Sequence, residues 1–250
     1  MSIITLTFEH TASYNSINKY QQFKMNDVSF YYLSDEGSER DKRISGRFSL
    51  LNIPAKRVQC VSPKWLEEKG YQNYGCSWGH VKMIKEFVEN SDKEFGMFFE
   101  DDVYLAKSLP HDISFLCNRM KMLELDVLLT GYLIDYLPYI IGYASEYEKL
   151  SDVGFYTYPH NLWGSQSYIL TRKNAISLFE KYNEDYLIRS MHDPTLKPFS
   201  IDWTITKDGK RAMVYPMYAV EEGNINTTDK WQLKYHKECF EFNYKENQYV

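Results

Sequence analysis

Three consecutive acids, Glu100, Asp101 and Asp102, close the apolar run Phe95-Gly96-Met97-Phe98-Phe99. Adjacent carboxylates repel one another and resist being desolvated together, so such a cluster belongs at an opening and calls for a counter-cation. Hard oxygen ligands select Mg2+ or Mn2+ over Zn2+, and these ions commonly bridge one or two carboxylates to the phosphates of a substrate. On an extended segment Glu100 and Asp102 point to one side and Asp101 to the other. The plainer reading of the same residues is a solvated acidic turn after a strand.

The elements that must position these acids follow from hydrophobic patterning. The run before them reads as a strand buried on both faces, the habit of a parallel sheet. Upstream, Val28 to Leu33 reads as a strand, Ser34-Asp35-Glu36-Gly37 as a turn, and Ser38 as the N-cap of a helix carrying Arg40, Arg43, Ile44, Phe48 and Leu51. Pro54 stops that helix and Arg57 to Val61 supplies the next strand, so the order is strand, helix, strand, with a ligand site expected at the strand carboxyl ends near 33–40. A helix from Gly75-Cys76-Ser77-Trp78-Gly79-His80 to about Asn90 places Val81, Ile84, Phe87 and Val88 on one face. Further elements are a helix over 113–123, a strand over 125–131, a strand over 166–170, and a helix capped by Thr171. Ala212 to Val220 reads as a strand that Pro216 confines to an edge. Ile3 to Phe8 reads as a strand and Ser16 to Phe23 as a short helix. Tyr132 to Pro159 loses periodicity, which suits a binding loop or lid, and 231–250 reads as a loosely docked polar tail.

The 250 residues carry a net charge of −5, with 44% hydrophobic and 25% charged residues, composition that suits one α/β domain spanning 1–250. Lys and Arg are scattered without the basic stripe that a phosphate backbone needs, so nucleic acid is not an expected partner. The four cysteines at 60, 76, 117 and 239 form no C-x-x-C pair, which argues against a zinc ribbon or disulfide framework and for a reducing compartment. Neither a signal-peptide pattern nor a membrane-length apolar run occurs, and the expected location is cytoplasmic.

Taken in order, six segments resemble glycosyltransferase family 25, which includes bacterial lipooligosaccharide galactosyltransferases and procollagen galactosyltransferases. They are the helix with Arg40 and Arg43, Gly75 to His80, Phe98 to Val103, Leu125 to Gly131, Gly164 to Leu170, and Ile201-Asp202, together covering about 28–222. The resemblance implies a GT-A fold, a mostly parallel central sheet flanked by helices. It also implies a nucleotide-sugar held by a divalent cation, Mn2+ or Mg2+, at the acidic motif. The implied reaction is inverting transfer of a hexose from a UDP-sugar, UDP-galactose or UDP-glucose, to a glycan or a hydroxylated protein acceptor.

Within that resemblance Asp102 is the expected direct metal ligand, Glu100 contacts metal or ribose, and Asp101 lies nearer the sugar. Asp202 matches the family's later Asp and is the expected base toward the acceptor hydroxyl. Arg40, Arg43 and His80 are expected at the diphosphate or sugar, although solvated arginines and a buried histidine are the plainer readings. Gly164, Ser165 and Gln166 let the backbone approach the sugar, with Trp163 or Tyr168 available to stack on it. His236 is placed only by its position late in the chain, where some GT-A enzymes carry a metal-binding His. Ser34 to Gly37 departs from the Asn-Leu-basic pattern of the family, which motivates an alternative: a catalytically degenerate nucleotide- or glycan-binding protein of the same fold. A nucleotidyl or phosphoryl transferase built on the same acids is the third reading, and it lacks a Gly-rich phosphate loop.

Overall fold

The computed structural model describes residues 24–138, 146–150 (backbone only), 153–225 and 227–250. The strand expected at 3–8 and the helix at 16–23 lie outside the described residues. The first strand, β1 (Val28–Ser34), is buried along nearly its whole length because it is flanked by two parallel neighbours, β2 (Ala55–Gln59) and β3 (Phe95–Phe99). Between β1 and β2 runs α1 (Glu39–Leu50). The Ser38 hydroxyl accepts from the Asp41 N–H at 3.0 Å to start it, and Ile44, Arg47 and Phe48 form its inward stripe. A short helix α2 (Pro63–Lys69) precedes α3 (Gly75–Asn90), whose His80, Met83, Ile84 and Phe87 are fully buried against the sheet. Gly79 packs closely there, since a Cβ would press on the Leu33 methyls, within 3.0 Å of Cδ1.

After the acids come β4 (Val103–Leu105), α4 (Leu109–Met122) and β5 (Val127–Gly131). The hairpin strands β6 (Glu146–Leu150) and β7 (Val153–Tyr156) follow, then β8 (Ser167–Thr171), α5 (Arg172–Lys181) and α6 (Glu184–His192). The chain closes with β9 (Arg211–Tyr215), β10 (Ala219–Glu221) and α7 (Lys230–Asn243). The main sheet has eight strands in the order β2-β1-β3-β8-β5-β9-β7-β6, and β4 pairs separately with β10. Most of these strands share one direction. The reversal of β8 makes it antiparallel to both β3 and β5, so the sheet is mixed rather than uniformly parallel around the acidic strand.

Three expectations are corrected. Ala212 to Val220 is not an edge: β9 lies between β5 and β7, and Pro216 falls just beyond its last residue, where no ladder N–H is lost. Tyr132 to Pro159 is not irregular throughout, because it contains β6 and β7, with Phe155 and Tyr156 in the core. The tail is firmly docked. Residues 230–243 form α7, the Asn243 amide donates to the Ile134 carbonyl at 2.6 Å, and Val250 exchanges backbone hydrogen bonds with Leu105 at 2.9 and 3.1 Å. No described helix is long and apolar enough to cross a membrane.

Candidate functional site

The acids emerge where β3 leaves the sheet. The Glu100 N–H donates to the Gln166 carbonyl at 3.0 Å, which extends the β3–β8 ladder by one step and brings the 163–166 loop beside the triad. On the other side the Glu222 N–H donates to the Asp102 carbonyl at 2.7 Å, and the β4–β10 pairing sets Glu221 opposite Val103. Backbone bonds on both flanks therefore hold four carboxylates, those of Glu100, Asp101, Asp102 and Glu221, in one small region.

Each carboxylate has a different setting. Glu100 Oε1 accepts from the Ser165 hydroxyl at 2.7 Å and lies 3.3 Å from His80 Nε2, while His80 Nδ1 lies 3.0 Å from the Tyr168 hydroxyl. Burial alone would raise the Glu100 pKa, but the bonds from His80 and Ser165 and the charge of Arg40 hold it below the ordinary range. Asp101 turns the opposite way. Its Oδ2 accepts from Ser34 Oγ at 2.6 Å and its Oδ1 faces Arg40 at 3.4 Å, with burial pushing its pKa up. Asp102 Oδ2 meets the same Arg40 nitrogen at 3.2 Å, whereas Asp102 Oδ1 is buried without a hydrogen-bond partner among the described residues. Burial, and then the charges of Glu100 and Glu221, push the Asp102 pKa well up. Glu221 is bonded to the Gln166 amide at 3.1 Å and to His236 Nδ1 at 2.8 Å, and Gln166 Oε1 is another buried oxygen without a partner among the described residues.

These residues wall two hollows that share Cys76 and Glu100. One, of about 230 Å³, is bounded by Asp102, Trp163 to Gln166, Asp202, Glu221 and His236; the other, of about 260 Å³, by Arg40, Cys60, Gly75 and Asp101. Gly164 shapes the first. It sits at φ +125°, and a Cβ there would come within 2.5 Å of the Tyr132 Cα and 2.7 Å of the Leu133 nitrogen. Its N–H donates to Asp202 Oδ1 at 2.8 Å, and burial raises the Asp202 pKa against that bond. A larger hollow of about 360 Å³ lies between the start of α4 and the end of the chain. Its charged groups are already engaged: Lys107 bonds the carbonyls of Glu246 and Asn247, and Asp112 accepts from Tyr218.

Arg40, Glu100, Asp101, Asp102, Gly164, Ser165, Gln166 and Asp202 thus converge on one double hollow. Arg43 does not join them; its guanidinium forks onto Glu222 at 3.0 and 3.2 Å. His80 is fully buried and lines neither hollow, and it touches the acids through Glu100. Tyr168 is likewise core, stacked on Phe98 at 5.1 Å, while Trp163 does line the first hollow. Sequence reasoning missed Glu221 and gave His236 no partner. The available signal was a carboxylate at the very end of a final β-strand, close to the pattern of Glu100 just after β3.

No protein-family model matches the chain, and no curated protein matches it in sequence. Among solved structures it is similar to A197 from STIV, at 15% identity over 81% of this chain and 96% of that one, with a TM-score of 0.42. It is also similar to mannose-1-phosphate geranyltransferase from Thermus thermophilus, at 11% identity over 75% and 73% of the two chains, TM-score 0.46. HddC from Yersinia pseudotuberculosis matches at 13% identity over 86% and 99%, TM-score 0.37. TM-scores below 0.5 leave the chemistry of this chain to its own site residues.

Proposed function

We propose that the chain is a metal-assisted glycosyltransferase of GT-A type that moves a hexose from a UDP-sugar, UDP-galactose or UDP-glucose, to a glycan or protein hydroxyl with inversion. The observation that carries this reading is the pair of buried oxygens, Asp102 Oδ1 and Gln166 Oε1, that have no partner among the described residues, in a wall that also holds Glu100, Glu221 and His236. Bare acceptors packed among carboxylates fit a hard divalent cation, Mn2+ or Mg2+, and Asp102 and Gln166 would hold it, with Glu100 on metal or ribose. Such an ion, when bound, supplies charge neutralisation to the departing diphosphate. The need is real: Arg40 is the one Lys or Arg lining either hollow among the described residues, and its guanidinium is already shared between Asp101 and Asp102.

The remaining steps belong to protein groups. Arg40 and Asp101 face the second hollow and bind the donor's diphosphate and sugar side. Asp202 commits Oδ1 to the Gly164 N–H, which leaves Oδ2 for the acceptor hydroxyl, and burial raises its basicity for that proton. The Gly164 turn allows close backbone approach to the sugar. The test is UDP release from UDP-galactose and UDP-glucose with Mn2+, with and without acceptor. Asp102→Asn abolishes donor hydrolysis and transfer, and Asp202→Asn keeps donor binding and loses transfer; full transfer by Asp102→Asn overturns the metal assignment. UDP binding without turnover on any acceptor supports the degenerate binding protein instead, and release of pyrophosphate supports a nucleotidyltransferase.

A further inference from the structure

The wall between the two hollows carries a group of ligands unlike the rest of the site. Cys76 and His80 lie four residues apart on one face of α3, and Glu100 reaches them from the end of β3. The Cys76 Sγ, His80 Nε2 and Glu100 Oε1 atoms all lie within 4.8 Å of one another, with Nε2 to Oε1 at 3.3 Å and Sγ to Oε1 at 4.0 Å. Around a tetrahedral zinc with bonds of about 2.0–2.3 Å, neighbouring donor atoms stand roughly 3.3–3.7 Å apart. An ion therefore enters after modest side-chain shifts.

The surroundings complete the arrangement. Tyr168 holds His80 Nδ1 at 3.0 Å and so orients the ring; on metal binding the ion replaces the Nε2 contact with Glu100 Oε1, and the tautomer with Nδ1–H donated to the phenol oxygen turns the Nε2 lone pair to the metal. The Ser165 hydroxyl fixes the Glu100 carboxylate in the same way. Cys76 is exposed and borders both hollows, which gives an ion a way in and leaves a fourth coordination position toward the cavity. Thiolate and imidazole select Zn2+ where the oxygen-only acids around Asp102 select Mg2+ or Mn2+.

We propose that Cys76, His80 and Glu100 form a zinc site, separate from the acid cradle at Asp102 and Gln166. On binding, the Cys76 thiol releases its proton and the thiolate, the neutral imidazole and the carboxylate coordinate the ion. Because Glu100 borders both places, zinc here draws that carboxylate out of the acid cradle, so the ion acts as an inhibitor of whatever activity the cradle supports.

The test is independent of the transferase reading because it needs no nucleotide. The full chain, metal-stripped, is titrated with Co2+ and then with Zn2+. The expected result is a thiolate-to-cobalt charge-transfer band with tetrahedral ligand-field absorption, bleached by one equivalent of Zn2+. Cys76→Ser and Cys76→Ala, checked for folding by circular dichroism, lose the band and bind Zn2+ about 100-fold or more weakly. Cys60→Ser and Asp102→Asn retain it. A wild-type protein with no such band overturns the proposal, as does a band that survives loss of Cys76 or disappears with Asp102→Asn.

Discussion

Replacing Asp102 by Asn removes one charge from a crowded buried cluster, and the structure says which way stability moves. Glu100 and Asp102 are two residues apart in the bend that follows β3, roughly 6 Å at the backbone, and at an effective dielectric near 20 two like charges at that spacing repel by roughly 2.5 kcal/mol. Against this, Asn gives up the 3.2 Å pairing with the half-exposed Arg40, worth about 0.5–1 kcal/mol. The metal-free variant is therefore expected to be more stable by about 1–2 kcal/mol. For a chain of this size that is a rise in Tm of roughly 2–8 °C. The sign with pH follows. Burial and the charges of Glu100 and Glu221 raise the folded-state pKa of Asp102 above its unfolded value. The Asp102 contribution to wild-type stability is therefore full at acid pH and is lost as pH climbs through that folded pKa, so the gap between the two proteins widens upward from about pH 4. Saturating Mn2+ reverses the order. At a hundredfold excess over Kd it adds about 2.7 kcal/mol to wild type and little to the variant. Thermal melts of both proteins in EDTA and in Mn2+ at pH 7 read all four states. If the Asn variant melts below wild type in EDTA, or gains as much from Mn2+, the account of Asp102 as an uncompensated cation ligand is wrong.

Other side chains make equally direct demands. Burial lowers the Lys207 pKa to about 8, with Asp202 opposing, so the unfolded chain binds the extra proton between about pH 8 and 10.5. Lys207→Met should be more stable than wild type at pH 7, by up to about 3 kcal/mol less about 1 for the abandoned Leu162 carbonyl, and urea titrations should show that lead shrinking as pH rises toward 10. Gly164→Ala forces a Cβ against the Tyr132 and Leu133 backbone at positive φ and should cost about 2–4 kcal/mol in chemical denaturation. Arg47 bonds the Val103 carbonyl and Glu222, both at 2.8 Å, and lies 4.0 Å over Tyr104; Arg47→Met should cost about 2–4 kcal/mol, whereas Arg43→Ala, more exposed on the same Glu222, should cost under about 1.

Much of the frame was legible where local chemistry and global position agree. Ser38 and Thr171 cap helices as their types suggest, and the doubly apolar runs at 95–99 and 127–131 are central strands. The sidedness of the acids is not simple strand alternation: β3 ends at Phe99, the chain bends at Asp101 and Asp102, and Glu100 borders both hollows, with Asp102 at one and Asp101 at the other. What resisted reading was decided by distant partners. β8 lies antiparallel because of where it inserts, which no residue in Ser167 to Thr171 encodes. α7 buries Cys239 and Asn243, with Tyr235 and His236 half-buried beside them, so its inward stripe has none of the aliphatic residues that announce a packed helix. Pro216 misled because it lies one residue past β9. Glu221 gained meaning only when β10 brought it to Val103.

The pairing of β4 with β10, and of Leu105 with Val250, joins positions more than a hundred residues apart. Closing loops of that length carries a conformational-entropy cost, so the covering layer that 219–250 place over Asp102 depends on contacts distant in sequence. The same layer, held by few strand residues, is where a small opening would let water and a hydrated ion back to Asp102 while the eight-stranded sheet stays folded.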